Sequence, residues 1–323
     1  MTEKKGGWII VKINPNCWSE HGELKTVLVC SPSTSDIPDQ RTADYVGWEK
    51  PVNQERAQEN HEGMIRAMKD AGVTVVNYSE FLTGENAALN HQLINRVFVR
   101  DLACVYGNTV IPGDAGITMR APEYVHCHEL FQSWFDEKTF SIKDNNGLKA
   151  LENGDVFVLN KDAVFINTGM RTSIESIEEL KQKIFQAGFS EIGIIDLPRT
   201  GETMHLDMNC NVAGSELIIA KSYMRLFPVQ IIGEKGGRYV MMEEFIKRQG
   251  FEVLWTDDVK HTVADINFLN LDPETLLVST KASKKILKDH PKLKGKNLIE
   301  VDVNELEKGG GGIRCMTMPF ERG

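Results

Sequence analysis

Residues 155–197 read DVFVLNKDAVFINTGMRTSIESIEELKQKIFQAGFSEIGIIDL. Two apolar runs, 155–159 and 163–167, flank the polar Asn160-Lys161-Asp162, which signals a hairpin. From 173 to 187 the pattern turns helical. Ser173 stands at the N-cap, and Glu175, Glu178 and Glu179 fall early, where the helix dipole favours anions. Gly188 stops the helix, and 192–197 predicts a strand. Hairpin, helix, strand is the unit.

The same unit recurs on both sides. Upstream, 24–30 predicts a strand, 54–71 a helix and 73–77 a second strand. Next, 97–106 and 109–112 form a hairpin around Gly107-Asn108, followed by a helix at 124–135 and a short strand at 139–142. Downstream, 204–212 pairs with 216–220, with a helix expected at 238–249 and a strand at 251–255. The stretch Gly233-Glu234-Lys235-Gly236-Gly237 lacks P-loop spacing and reads as a turn. The last unit pairs 264–269 with 275–279 around Asp272-Pro273, then predicts a helix at 282–289 and a strand at 298–303. No linker separates the five units, so residues 1–323 are expected to form one α/β domain with internal pseudo-symmetry. The hairpins argue against a doubly wound parallel sheet.

Composition bounds the function. The chain is 41% hydrophobic and 26% charged, as in soluble globular proteins. A net charge of -9 without a long basic run argues against nucleic acid as partner, and it suits a small cationic substrate. No apolar run has membrane-spanning length. The six cysteines show no CxxC pair and no framework spacing, which points to reduced thiols in the cytoplasm. His126-Cys127-His128 lacks a second ligand pair, so packed or solvated side chains are expected there and no metal. Oligomeric state is not encoded in any feature of the sequence, and a homo-oligomer stays open.

Polar residues interrupt several runs that would otherwise be core. Arg100-Asp101 splits 97–99 from 102–104, an arrangement costly to bury unless partnered. Glu152 and Asp155 stand around a turn at the mouth of a strand, and His205 and Asp207 lie two apart, on one face if the segment is a strand. At the C-terminal end, residues 309–323 read GGGGIRCMTMPFERG. Here four glycines free the backbone, so that a flexible loop is expected to present Arg314 and Cys315, and a thiol beside a guanidinium has its nucleophilic thiolate form favoured. Each of these features alone suits a structural role. Together they suggest a site built from equivalent ends of a repeated fold.

The segments NRVFVRD, MRAPE, LENGDVFVLN, GMRTS, MHLDMNCN and GGGGIRCMTMP, with SEHGELKTVLVCSPS at the start, together resemble the arginine deiminases. More broadly they resemble the guanidino-group-modifying enzymes of the pentein fold, which include amidinotransferases. The resemblance implies a pentein α/β-propeller of five modules around a central site. It implies Cys315 as nucleophile, His205 as general acid and base, Asp101 and Asp207 gripping a guanidinium, and Glu152 beside His205. It also implies that Asn95, Arg120 and Arg171 bind the substrate α-carboxylate, with Arg314 near the substrate. Nineteen positions separate Asp101 from Arg120 and also Glu152 from Arg171. No cofactor or metal is called for. The implied reaction is hydrolysis of L-arginine to L-citrulline and ammonia, the alternative being an amidinotransferase, or a hydrolase of another guanidino compound. The sequence departs from the deiminase pattern in Leu102-Ala103, where Pro-Phe is usual, in Asn153, where Gly is usual, and in lacking an inserted helical segment before NRVFVRD. A binding protein on the same fold is disfavoured because every chemical residue is present.

Overall fold

The computed structural model describes residues 2–5, 8–11, 13–145, 149–233, 236–257 and 262–323. The unit read from residues 155–197 is present. Val156–Asn160 pairs antiparallel with Ala163–Thr168, the helix Ile174–Gln186 follows, and Glu191–Asp196 returns parallel to Ala163–Thr168. A tight turn suffices for the antiparallel pair, whereas the parallel strand needs the helix as crossover. Ser173 caps that helix, its Oγ accepting from the Ser176 N–H at 3.1 Å.

The other units repeat this pairing. Cys210–Ala213, Leu217–Lys221 and Glu252–Thr256 form one such sheet, and Leu269–Asp272, Thr275–Ser279 and Asn297–Val301 another. In the first unit Leu24–Val29 runs parallel to Thr74–Asn77, and its antiparallel partner is Met318–Arg322. The start and the end of the chain thus share a sheet. Between the strands of this unit, the helix Gln54–Asp70 is capped by Asn53 and buries Ala57, Met64 and Met68 on one face.

Five expectations change. Of 97–106 only Ala103–Tyr106 is strand, because Val99–Leu102 forms a 3-10 turn, and of 264–269 the first part belongs to the helix Thr262–Ile266, with the strand at Leu269–Asp272. Residues 139–142 form no strand: Asp136 accepts the Thr139 N–H through Oδ1 at 2.9 Å, a local bond that competes with pairing, and a single bridge, Val110 to Phe140, remains. The helix expected at 238–249 is split. Gly236–Met241 is a strand paired with Pro228–Gly233, which extends the sheet of Glu191–Asp196, and helix is confined to Met242–Arg248. Tyr239 and Val240 have the ring and β-branch that favour a strand once a partner is present. Of the turn expected at 233–237, Glu234 and Lys235 lie outside the described residues. Finally, His205 and Asp207 do not share a strand. His205 is extended, and Asp207 lies in the 3-10 turn Leu206–Met208.

Site-forming loops precede the first strands of the units, and side chains link one loop to the next. The Gly154 N–H donates to Asp101 Oδ1 (2.9 Å), and Leu206 N–H donates to Asp155 Oδ1 (2.9 Å). Asn267 Nδ2 donates to the Asp207 carbonyl (3.0 Å), and Cys315 N–H donates to Asn267 Oδ1 (2.9 Å). The Arg100 N–H then donates to the Cys315 carbonyl (3.0 Å), which returns the relay to its start beside Asp101. Among the described residues, no helix is long and apolar enough to cross a membrane.

The packing of Met242–Arg248 on its sheet is testable at Gly193, in the strand Glu191–Asp196. A Cβ there would lie 2.3 Å from the Phe245 ring. Gly193→Ala is expected to destabilise the protein by about 1–3 kcal/mol through overpacking, read from urea denaturation. Unchanged stability would mean that this helix does not press on the strand.

Candidate active site

The relay gathers acids, a histidine and a thiol into one buried region. His205 Nε2 donates to Glu152 Oε2 at 2.8 Å and stands 3.9 Å from Asp101 Oδ1. The Cys315 thiol faces Asp207 Oδ2 at 3.5 Å. All five side chains are buried. Asp207 Oδ1 is buried without a protein partner, whereas its Oδ2 is taken by Arg314 at 2.8 Å. One carboxylate oxygen is therefore anchored, and the other has no protein partner.

The charges are strongly coupled. Burial works against the charged form of His205, but Asp101 and the hydrogen bond to Glu152 outweigh it and raise the imidazole to about 10. Burial would raise Glu152, yet the bond from His205 and the Arg120 charge bring it to about 2. At neutral pH the pair is ionic and His205 carries a proton to give. Cys315 behaves oppositely. Burial, then Asp207 and Asp101, push its thiol well above the ordinary range.

Arg314 does pull the thiol toward the thiolate, as expected, but burial and the two carboxylates outweigh it. The Arg314 guanidinium turns away, onto Glu20 (2.9 Å), Asp207 and the Val156 carbonyl (2.7 Å), and stacks 4.0 Å above the Phe157 ring. Its charge is spent on those carboxylates. The residue lies beneath the site and anchors Asp207, where a substrate contact was expected. The glycine run is likewise packed, not a loose loop. Gly310 has φ +83°, and a Cβ on Gly311 would stand 2.5 Å from the Phe98 ring and 3.1 Å from Cys315 Cβ.

The arginines differ from each other. Arg120 donates to Asp101 Oδ2 through Nη1 at 2.5 Å, to Glu123 through Nε at 2.9 Å and to the Phe98 carbonyl through Nη2 at 2.9 Å. Its guanidinium is engaged on every side, where a carboxylate contact was expected. Arg171 is the freer one. Its Nη1 lies 3.4 Å from Glu152 Oε1, its Nε is buried without a protein acceptor, and the side chain is 12% exposed. Glu175 pairs instead with Lys149. The half-buried Asn95 accepts the Trp48 indole N–H at 3.0 Å.

Asp101, Glu152 and His205 each offer a ligand atom within 4.8 Å of the others, the geometry of a small cation site. The Arg120 guanidinium already supplies positive charge to Asp101 there. His126 and His128 go separate ways: one contacts Asn90 Nδ2 at 3.3 Å, and the other donates to the Leu102 carbonyl at 2.7 Å.

Sequence reading missed three residues. Asn267 holds the Cys315 N–H and the Asp207 carbonyl at once. Its position just ahead of a strand, like that of Asp101, was the available signal. Glu123, raised to about 7 by burial against the pull of Arg120, fixes that arginine. Glu20 lies 294 positions from the Arg314 it binds, so no local pattern could have shown it.

Comparison with known proteins adds a family. The arginine deiminase family model matches residues 78–322. An uncharacterized protein of Bacillus subtilis, YkgA, is 24% identical over 95% of both chains. The arginine deiminase of Streptococcus sanguinis is 25% identical over 71% of this chain and 61% of its own. That of Mycoplasma capricolum is 25% identical over 54% of this chain and 47% of its own. The chain thus spans about half to three fifths of the length of these two deiminases. Among solved structures, dimethylarginine dimethylaminohydrolase of Pseudomonas aeruginosa, complexed with citrulline, superposes with a TM-score of 0.65 at 18% identity, covering 92% of this chain and 100% of that one. The amidinotransferase SxtG of Microseira wollei gives 0.66 at 17% identity over 95% and 97%. These likenesses carry the α/β pentein fold. With the family match over residues 78–322, they show that the chain belongs to the arginine deiminase family of the guanidino-group-modifying superfamily.

Proposed function

We propose that this protein hydrolyses L-arginine to L-citrulline and ammonia through a covalent intermediate on Cys315. We read its five units as one pentein propeller, a single catalytic domain closed around the site. The observation that carries this reading is the pair of buried carboxylates beside a thiol: Asp207 at 3.5 Å from Cys315, and Asp101 beside the Glu152–His205 pair. All six cysteines are free thiols, which fits a reducing cytoplasm.

The chemistry follows from charge. A guanidinium between Asp101 and Asp207 neutralises the two carboxylates that hold Cys315 as a thiol, so substrate binding promotes loss of the thiol proton to solvent. The thiolate attacks the guanidinium carbon, forming a C–S bond and a tetrahedral adduct. His205 gives its proton to one terminal nitrogen, the C–N bond breaks, and ammonia leaves. The thiouronium stays on Cys315. His205, now neutral, takes a proton from water as that water attacks the same carbon. The C–S bond then breaks, releasing the ureido product.

Amidino transfer is the second reading, because the chain superposes on 97% of an amidinotransferase. There an amine replaces water in the second half-reaction. Incubation with L-arginine, alone and with glycine, followed by amino-acid analysis, separates the readings. Citrulline formed equally in both supports hydrolysis, and a guanidino acid appearing only with glycine supports transfer.

Two variants test the residue roles. Asn267→Ala frees Cys315 from Asp207, and displacement by about 1 Å costs about 10²-fold in rate. The expected outcome is a fall of that order in kcat with KM little changed. A loss confined to thermal stability would leave Asn267 without a positioning role. For the α-carboxylate we assign Arg171 as the direct partner; Arg120, held on Asp101 and Glu123, and Asn95, which accepts the Trp48 indole N–H, complete the expected set. A site built for a polar group rejects an analogue lacking it by about 10⁴–10⁵-fold. Arginine should therefore be preferred over agmatine by roughly that factor, and Arg171→Ala should narrow the gap by lowering kcat/KM for arginine. Equal turnover of agmatine by the native enzyme would remove arginine as the substrate.

A further inference from the structure

Behind Cys315 lies a second charged cluster that the proposed chemistry does not use. Arg100, Arg314 and Arg322 are only 4%, 1% and 3% exposed. The carboxylates that meet this cluster are Glu20 and Asp207, and Arg314 engages both, at 2.9 and 2.8 Å. Arg100 spends its Nε on the Arg314 carbonyl (3.2 Å). Arg322 spends its Nη1 on the carbonyls of Gly22 (2.7 Å) and Asn270 (3.0 Å). The Nη2 of both Arg100 and Arg322 is buried without a protein acceptor.

These two arginines line one small cavity of about 20 Å³, together with Glu20, Cys17 and Cys104. That is room for a single particle the size of a water molecule or a halide. A water would satisfy hydrogen bonds but not charge. Three guanidinium groups against two carboxylates leave one positive charge in excess, and a buried charge without a counter-ion is costly. Burial and the neighbouring Arg314 press Arg100 down to about 10, with Glu20 opposing only in part. The two thiols supply no negative charge, since burial raises both.

We propose that this cavity binds one monatomic anion of chloride size, held by Arg100 and Arg322 as a resident counter-ion. Glu20 also lines the cavity, and its charge is already taken up by Arg314. The anion does not touch substrate. It supports the back of the nucleophile segment, because Arg100 donates to the carbonyls of both Arg314 and Cys315. The inference holds whichever guanidino compound the enzyme uses.

The test is diffraction from crystals of the native protein purified in sodium chloride, at a long wavelength where chlorine and sulfur both scatter anomalously. The Cys17 and Cys104 sulfurs in the cavity wall are internal standards. The expected result is an anomalous peak inside the cavity at least as high as those of the two sulfurs. Density without an anomalous peak would be a water, and that, or an empty cavity, overturns the proposal.

Discussion

The buried pairing of Arg314 with Asp207 and Glu20 is the interaction on which the rest depends. It joins the loop before Leu24–Val29, the fourth unit and the Cys315 segment, three parts of the chain that local propensity cannot bring together. Removing one partner from such a group leaves an uncompensated buried charge, at a cost of about 3–5 kcal/mol. Its larger effect concerns direction. Arg314 anchors the same Asp207 oxygen, Oδ2, that the Cys315 thiol faces at 3.5 Å, and it leaves Oδ1 without a protein partner. The asparagine relay then sets distance: Asn267 ties the Cys315 backbone to that of Asp207, so the thiol and carboxylate keep their separation.

The same region explains why the resting thiol is protonated. Burial is the first cause, Asp207 and Asp101 add to it, and the opposing pull of Arg314, which is bound to Glu20 and Asp207, is too small to offset them. Under the proposed reading, reactivity waits for the substrate's own positive charge, which makes the thiolate form only where it can attack. The proton on His205 follows from the same field with opposite sign, since imidazolium is the charge that buried acids favour. One electrostatic arrangement thus holds the nucleophile in reserve and keeps the acid ready.

Much of this was legible in the sequence, and the limits have physical causes. The hairpin at 155–167 announced itself because a polar turn separated two apolar runs of strand length. Asp101, His205 and Asp207 stood out as polar groups within runs expected to be strands, Glu152 at a turn before one, and Cys315 after the glycines; the structure moves Asp101, His205 and Asp207 to just ahead of their strands. Arg314 was misread because a neighbour in sequence is not a neighbour in space: its partner Glu20 is fixed by tertiary packing. The segment at 238–241 was misread because the strand Pro228–Gly233 that recruits it was not recognised. The glycines suggested freedom where they in fact permit close packing against Phe98.

The central claim is that catalysis passes through a covalent amidino adduct on Cys315. Acid quenching of the native enzyme during turnover of L-arginine, followed by peptide mass spectrometry, tests it most directly. The account predicts that the Cys315 peptide carries the substrate's mass less one ammonia and that the mark disappears as substrate is exhausted. Steady production of citrulline with the Cys315 peptide unmodified at every quench time, and with a folded Cys315→Ser protein still active, would contradict it.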